Sequence, residues 1–133
     1  PKSSANPFTR AWIYETFPRL EERRTSMASN LSGGEQSMLA ISRALTINPT
    51  LLIMDEPTEG LAPLLVETVR QVIERLRTQQ LTVLLVEQNL QFALDVADRV
   101  AVMDRGSIEH LFTRDEITDV AQLGDLIIAG SDH

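Results

Sequence analysis

The chain has 133 residues, 43% apolar and 23% charged, which is one domain's worth of polypeptide with enough apolar material for a core. Its 12 Lys and Arg stand against 19 Asp and Glu, and a net charge of −7 argues against gripping nucleic acid through a broad basic surface. The absence of cysteine excludes disulfides, thiolate metal sites and a cysteine nucleophile, and no apolar run approaches the ~20 residues of a membrane span, so neither a transmembrane nor a signal segment is expected.

Residues 1–7 have loop composition, and Phe8, Trp12, Ile13 and Phe17 then give a weak helical spacing that stops at Pro18. The charged stretch Arg19 to Arg24 reads as a solvated helix face or turn. Ser32-Gly33-Gly34-Glu35 opens a segment with Met38, Ile41 and Leu45 on one helix face. Asn48-Pro49 ends it, because the residue before proline is pushed out of the α region. Leu51-Leu52-Ile53-Met54 is an unbroken apolar run, the pattern of a strand buried on both faces of a parallel sheet. From Pro63 the pattern turns helical, with Val66, Val69, Ile73 and Leu76 on one face. Leu81 to Val86 reads as a second buried strand, and Leu90, Ala93, Leu94 and Ala97 mark another helix. Val100–Met103 and Ser107–Phe112 flank Asp104-Arg105-Gly106, a hairpin signal. Thr113 and Glu116 have the spacing of a capping box and predict the start of a last helix. The alternation of strands and helices predicts an α/β sheet protein.

Two stretches carry candidate chemistry. At Leu31-Ser32-Gly33-Gly34-Glu35-Gln36, Ser32 caps a helix and Glu35 reaches back to the cap amide. Such a start leaves unpaired N–H groups at the positive end of a helix dipole, and two glycines let an anion approach the backbone closely. Taken alone, the cap is the simpler reading. The second stretch is Leu52-Ile53-Met54-Asp55-Glu56-Pro57-Thr58. Its adjacent carboxylates end a buried strand, where α/β sheets place ligands. Asp55 could hold Mg²⁺, directly or through water, and Glu56 could orient a water for attack on a phosphoryl group.

Together these stretches resemble the nucleotide-binding subunits of ATP-binding-cassette (ABC) transporters. Residues 31–36 are similar to that family's signature motif, and residues 51–58 to its Walker B strand and catalytic glutamate. Gly60, Leu61 and Ala62 fall in its D-loop, and Gln88, within Val86-Glu87-Gln88-Asn89, in its switch loop. The wording of residues 55–63, 86–89 and 97–106 resembles the subgroup that imports branched-chain amino acids, with urea and amide importers as relatives. Two positions depart from the commoner family pattern: Gln88 stands where histidine is usual, and Ala62 where the D-loop usually has aspartate. Gln88 cannot become cationic, which weakens any part in charge stabilisation.

The resemblance implies a partial P-loop NTPase fold, α/β, with a mostly parallel sheet flanked by helices. It divides the chain into residues 1–31 as the remnant of a helical subdomain, 32–112 as the α/β core, and 113–133 as a terminal helix and tail. In the family the signature completes the nucleotide site of the opposite subunit, while Walker B serves its own. ATP and Mg are the implied cofactors of the complete parent, with Glu56 and Gln88 catalytic, Asp55 on the metal and residues 31–36 on the partner's γ-phosphate. No Gly-x-x-x-x-Gly-Lys-Ser/Thr occurs among the 133 residues. The chain alone is therefore expected to bind no nucleotide tightly and to be inactive. The implied partners are a second ATP-binding subunit and membrane permease subunits, with no nucleic acid and no membrane insertion. The implied place is the cytoplasm, peripheral on the inner membrane.

Other chemistries find little footing. His110 and His133 lack ligand partners at metal spacing, and no Gly-x-Ser-x-Gly elbow occurs. Trp12, Tyr14 and Phe17 fit core or subunit contacts better than a base-stacking platform. A non-catalytic interaction module derived from the same family remains an alternative. So does a soluble ABC protein of translation or repair, which residues 55–63 and 97–106 disfavour. Loss of the strand that leads into the P-loop would leave an open edge and an uncovered apolar surface, so a homo-oligomer is expected.

Overall fold

The computed structural model describes residues 5–117 and 119–131. Residues up to Val86 form one compact unit and those from Glu87 onward a second. The first unit runs α1 (Arg10–Thr16), α2 (Pro18–Glu22), a 3-10 turn (Ala28–Asn30), α3 (Gly33–Thr46), β1 (Leu51–Asp55), α4 (Pro63–Thr78) and β2 (Thr82–Val86). Thr9 caps α1 by accepting the Trp12 N–H at 3.2 Å. Pro18 ends α1 as expected, but it also begins α2, because its fixed φ and missing N–H suit the first helical position.

The long helices follow their sequence signals. α3 buries Met38, Ile41, Ser42 and Leu45, and Ser42 is satisfied by donating to the Met38 carbonyl at 2.8 Å. It stops where Asn48 takes the left-handed conformation, φ 53°, which asparagine tolerates at a helix end. α4 buries Val69, Val72, Ile73 and Leu76; Val72 takes the place of Val66 in the expected stripe, and Val66 is only partly covered. Gln80 ends it with φ 57°.

β1 and β2 pair in parallel, Leu51 opposite Thr82 through Asp55 opposite Val86. The expected burial on both faces is not observed. Leu52 and Met54 are buried, whereas Leu51 is 47% and Ile53 61% exposed, with Leu84 and Val86 of β2 at 52% and 49%. Side chains alternate across a strand, so an unbroken apolar run covered on one side leaves an apolar row bare on the other.

The second unit contains α5 (Leu90–Val96), β3 (Arg99–Asp104), β4 (Ser107–Thr113), a 3-10 turn (Arg114–Glu116) and α6 (Val120–Ser131). β3 and β4 form the expected hairpin, antiparallel and closed by Arg105 and Gly106 with φ 47° and 85°. Two central residues at positive φ match the twist of the strands they join. Leu94, Val102, Ile117 and Leu123 make its core, with Leu90, Val100, Phe112 and Val120 packed around them. The mostly parallel sheet is thus corrected to one parallel and one antiparallel pair among the described residues.

The Thr113–Glu116 box exists, but it caps the 3-10 turn rather than the last helix. Arg114 holds that turn by donating to the Leu94 and Ile117 carbonyls at 2.8 and 2.9 Å. α6 begins later, where Asp119 accepts the Gln122 N–H at 2.8 Å.

Candidate functional site

The first candidate group lies at the amino end of α3. Ser32 Oγ accepts the Glu35 N–H at 3.2 Å, and Glu35 Oε2 accepts the Ser32 N–H at 2.9 Å, so both halves of the predicted box are formed. Gln36 Nε2 donates to the Leu31 carbonyl at 3.1 Å and fixes the chain before the cap. Ser32 and Gly33 are exposed, while Gly34 is buried.

Arginines from α2 and the residue after it complete this corner. Arg19 pairs with Glu22 and also reaches Glu35 Oε1 at 3.2 Å. Arg23 donates from Nη2 to the Asn30 carbonyl at 3.0 Å. The Glu35 carboxyl is held below its ordinary value by the Ser32 N–H first, against a smaller opposing effect of burial, with the charges of Arg19 and Arg23 adding to the lowering. Arg19 lies on the expected solvated face, with 66% of its side chain exposed, and still bridges to Glu35.

The second group lies at the carboxyl end of β1, where Asp55 closes the strand and is exposed. Glu56 follows in the left-handed region, φ 46°, a conformation that costs a non-glycine residue roughly 1–2 kcal/mol. Its N–H donates to the Val86 carbonyl at 2.8 Å, extending the β1–β2 pairing past the strand end and holding that conformation in place. From there the chain turns tightly: Glu59 N–H donates to the Glu56 carbonyl at 3.1 Å and Leu61 N–H to the Thr58 carbonyl at 3.2 Å. Thr58 is buried, and Gly60 takes φ 69°. Ala62 then caps α4 through its carbonyl, which accepts the Leu65 and Val66 N–H groups at 2.9 and 3.1 Å.

The first unit thus holds residues 31–36, Asp55, Glu56 and residues 60–62. Gln88 belongs to the second unit and is exposed. Next to it, Asn89 Oδ1 caps α5 by accepting the Phe92 N–H at 3.0 Å. Among the described residues no group of three or more His, Asp or Glu could hold a metal ion. Asp55 therefore fits magnesium only as one ligand of an ion carried in on phosphates, which is how that ion is usually bound. His110 is exposed and stacks on Phe112 with ring centroids 5.7 Å apart; His133 lies outside the described residues. Trp12 packs edge-on against Phe8 at 5.2 Å and lies under the Arg75 guanidinium at 4.8 Å, so it serves internal contacts. No helix among the described residues is long and apolar enough to cross a membrane.

Known proteins share parts of this sequence and fold. The family model described as ABC transporter matches residues 9–59. The ATP-binding protein of a high-affinity branched-chain amino acid transport system of Pseudomonas aeruginosa is 51% identical over 96 residues, 72% of this chain and 41% of that protein. Among solved structures, an ATP-binding cassette of an ABC transporter superposes with TM-score 0.68 at 27% identity, covering 96% of this chain and 52% of that one. A bacterial ABC transporter cassette solved as a dimer superposes with TM-score 0.66 at 26% identity, covering 86% of this chain and 50% of that one. The chain spans about two fifths of the length of the curated relatives it matches.

Proposed function

We propose that this chain, which is related to the ATP-binding domains of ABC transporters, supplies the signature and Walker B parts of an importer's ATPase motor. The observation that carries the reading is Glu56: a carboxylate at the carboxyl edge of a parallel strand pair, held at φ 46° by its bond to Val86. Strained conformations of this kind persist where the surrounding structure over-determines them, often at functional sites.

In this reading Glu56 accepts a hydrogen bond from the water that attacks the γ-phosphate and aligns it. Asp55 would hold Mg²⁺, directly or through water. The ion, when bound, neutralises charge on the phosphates. Ser32 and the backbone N–H groups of Gly33 and Gly34 face the nucleotide of a second ATP-binding subunit, with Leu31, Glu35 and Gln36 holding the turn that presents them. Gly60, Leu61 and Ala62 form the D-loop. Gln88 offers an uncharged amide to the γ-phosphate. The phosphate cradle has to come from residues outside these 133. The similarity to a branched-chain amino acid transport protein supports that solute class, with urea or amide importers as the related option. Permease subunits at the inner face of the cytoplasmic membrane are the corresponding partners.

A second reading, a non-catalytic association module, draws support from the bare row Leu51, Ile53, Leu84 and Val86. A homo-oligomer that covers this row is compatible with either reading.

The test joins this chain to the P-loop half of the Pseudomonas relative and measures ATP turnover. The expected outcome is turnover that falls by a factor of about 10² or more on Glu56→Gln, the scale of a lost general base, with ATP binding retained. A chimera that binds ATP and turns over equally well with Glu56→Gln overturns the catalytic reading. For the 133-residue chain alone, calorimetry should show no ATP·Mg²⁺ binding at micromolar concentration.

A further inference from the structure

Gly33 and Gly34 are neighbours at the start of α3, yet they meet different surroundings. Nothing lies within 4 Å of where a Cβ on Gly33 would stand, and the residue is exposed. Gly34 is buried, and a Cβ there would overlap the Cδ1 methyl of Leu65. Leu65 lies in the first turn of α4, a helix whose start has no side-chain cap. Its position is set by the succession of turns that begins at Glu56 and passes through buried Thr58 and the Ala62 carbonyl.

We propose that Leu65 is a positioning residue for the glycine-rich turn. Its side chain occupies the space left by the missing Gly34 Cβ and seats the amino end of α3 against the first turn of α4. The second glycine then serves as a packing hole, whereas only Gly33 has open space where its Cβ would stand. Because Leu65 follows directly from the turns after Glu56, it also ties the place of that backbone to the carboxylate end of β1. The inference rests on the reading of the α3 start as a phosphate-facing element and adds to it a residue outside every motif in the sequence.

The seating is tested in the 133-residue chain by a double-mutant cycle. Gly34→Ala should lower the thermal midpoint when Leu65 is present. It should raise the midpoint in the Leu65→Ala background, where space exists and alanine favours helix over glycine. Equal effects of Gly34→Ala in the two backgrounds overturn the proposal. A local readout separates positioning from general stability. The Glu35 and Gln36 amides bond to Ser32 Oγ at 3.2 Å and to the Ser32 carbonyl at 2.8 Å. In Leu65→Ala their hydrogen exchange should accelerate about fivefold or more beyond any change at Leu45 and Val69, and Leu65→Met should restore it. Unchanged exchange at Glu35 and Gln36 also overturns the proposal. Titration with ATP·Mg²⁺ of the chimera that carries the P-loop half of the Pseudomonas relative, followed at the Gly33 and Gly34 amides, tests the underlying reading separately. Silent Gly33 and Gly34 amides in a chimera that binds ATP, beside a sign-reversing cycle, would sink the phosphate assignment and leave the seating in place.

Discussion

The amino end of α3 and the carboxyl end of β1 carry the two halves of the candidate chemistry, and their construction differs. At α3 the turn is closed by Ser32 and Glu35 bonding to one another and by Gln36 reaching back to Leu31. At β1 the Glu56 amide is held by Val86, on a neighbouring strand reached only after all of α4. The first end depends on contacts within one turn and should form whenever α3 forms. The second exists only once β1 and β2 have paired. Local capping is cheap to specify but weak, whereas strand pairing helps hold the Glu56 backbone at positive φ.

The largest expected effect comes from breaking the second end. Met54→Ala removes a buried side chain from the covered face of β1 and should cost about 2–5 kcal/mol in urea unfolding, the range for large-to-small core changes. Ser32→Ala attacks the first end and should cost about 1 kcal/mol, the usual loss of an N-cap. If the two variants destabilise equally, the contrast between local and tertiary construction fails.

Ile53→Ser should change monomer stability by no more than about 0.5 kcal/mol, as expected of an exposed position. It should nevertheless weaken self-association. Light scattering decides: a mass near 14.8 kDa for the parent chain at all concentrations would remove the bare row as an association surface.

The smallest effect is electrostatic and separates helix surface from strand end. Glu35 is held low by the Ser32 N–H and then by Arg19 and Arg23, and Glu67 is lowered to about 2 by hydrogen bonds from Arg70 and Gln71. Both carboxyls have depressed folded-state values, so their stabilisation is complete above the ordinary carboxylate value of 4.5. It is lost as pH falls through the folded-state values. The Glu67 side chain is 45% exposed, so its share of the slope should be shallow. Unfolding midpoints measured between pH ~3 and ~6 should flatten in Glu35→Gln. Ser32→Ala should leave the Glu35 contribution to the slope in place, because its backbone N–H remains.

Much of this was legible in the sequence. Ser32 with Glu35, Asn48 before Pro49, and Arg105-Gly106 each announce a local geometry, because the groups that satisfy the backbone lie within a few residues. The apolar runs at 51–54 and 81–86 announced strands. They did not show that one face of each would be bare, since a run of apolar residues looks the same whether one or both faces are covered. The Thr113–Glu116 spacing predicts the start of the last helix, but the same bonds close a single 3-10 turn, and Arg114 anchors it through carbonyls that a local pattern does not reveal.

The sequence by itself determined the α3 stripe, the Ser32–Glu35 cap and the hairpin turn. All of these follow from backbone hydrogen bonding and side-chain periodicity over a few positions. Only tertiary structure decided that Gly34 faces Leu65 while Gly33 faces open space, that Arg19 reaches Glu35 as well as Glu22, and that Glu56 sits at positive φ. Each of these depends on which distant segment arrives beside the residue. Packing and strand pairing settle that, and no local preference encodes it.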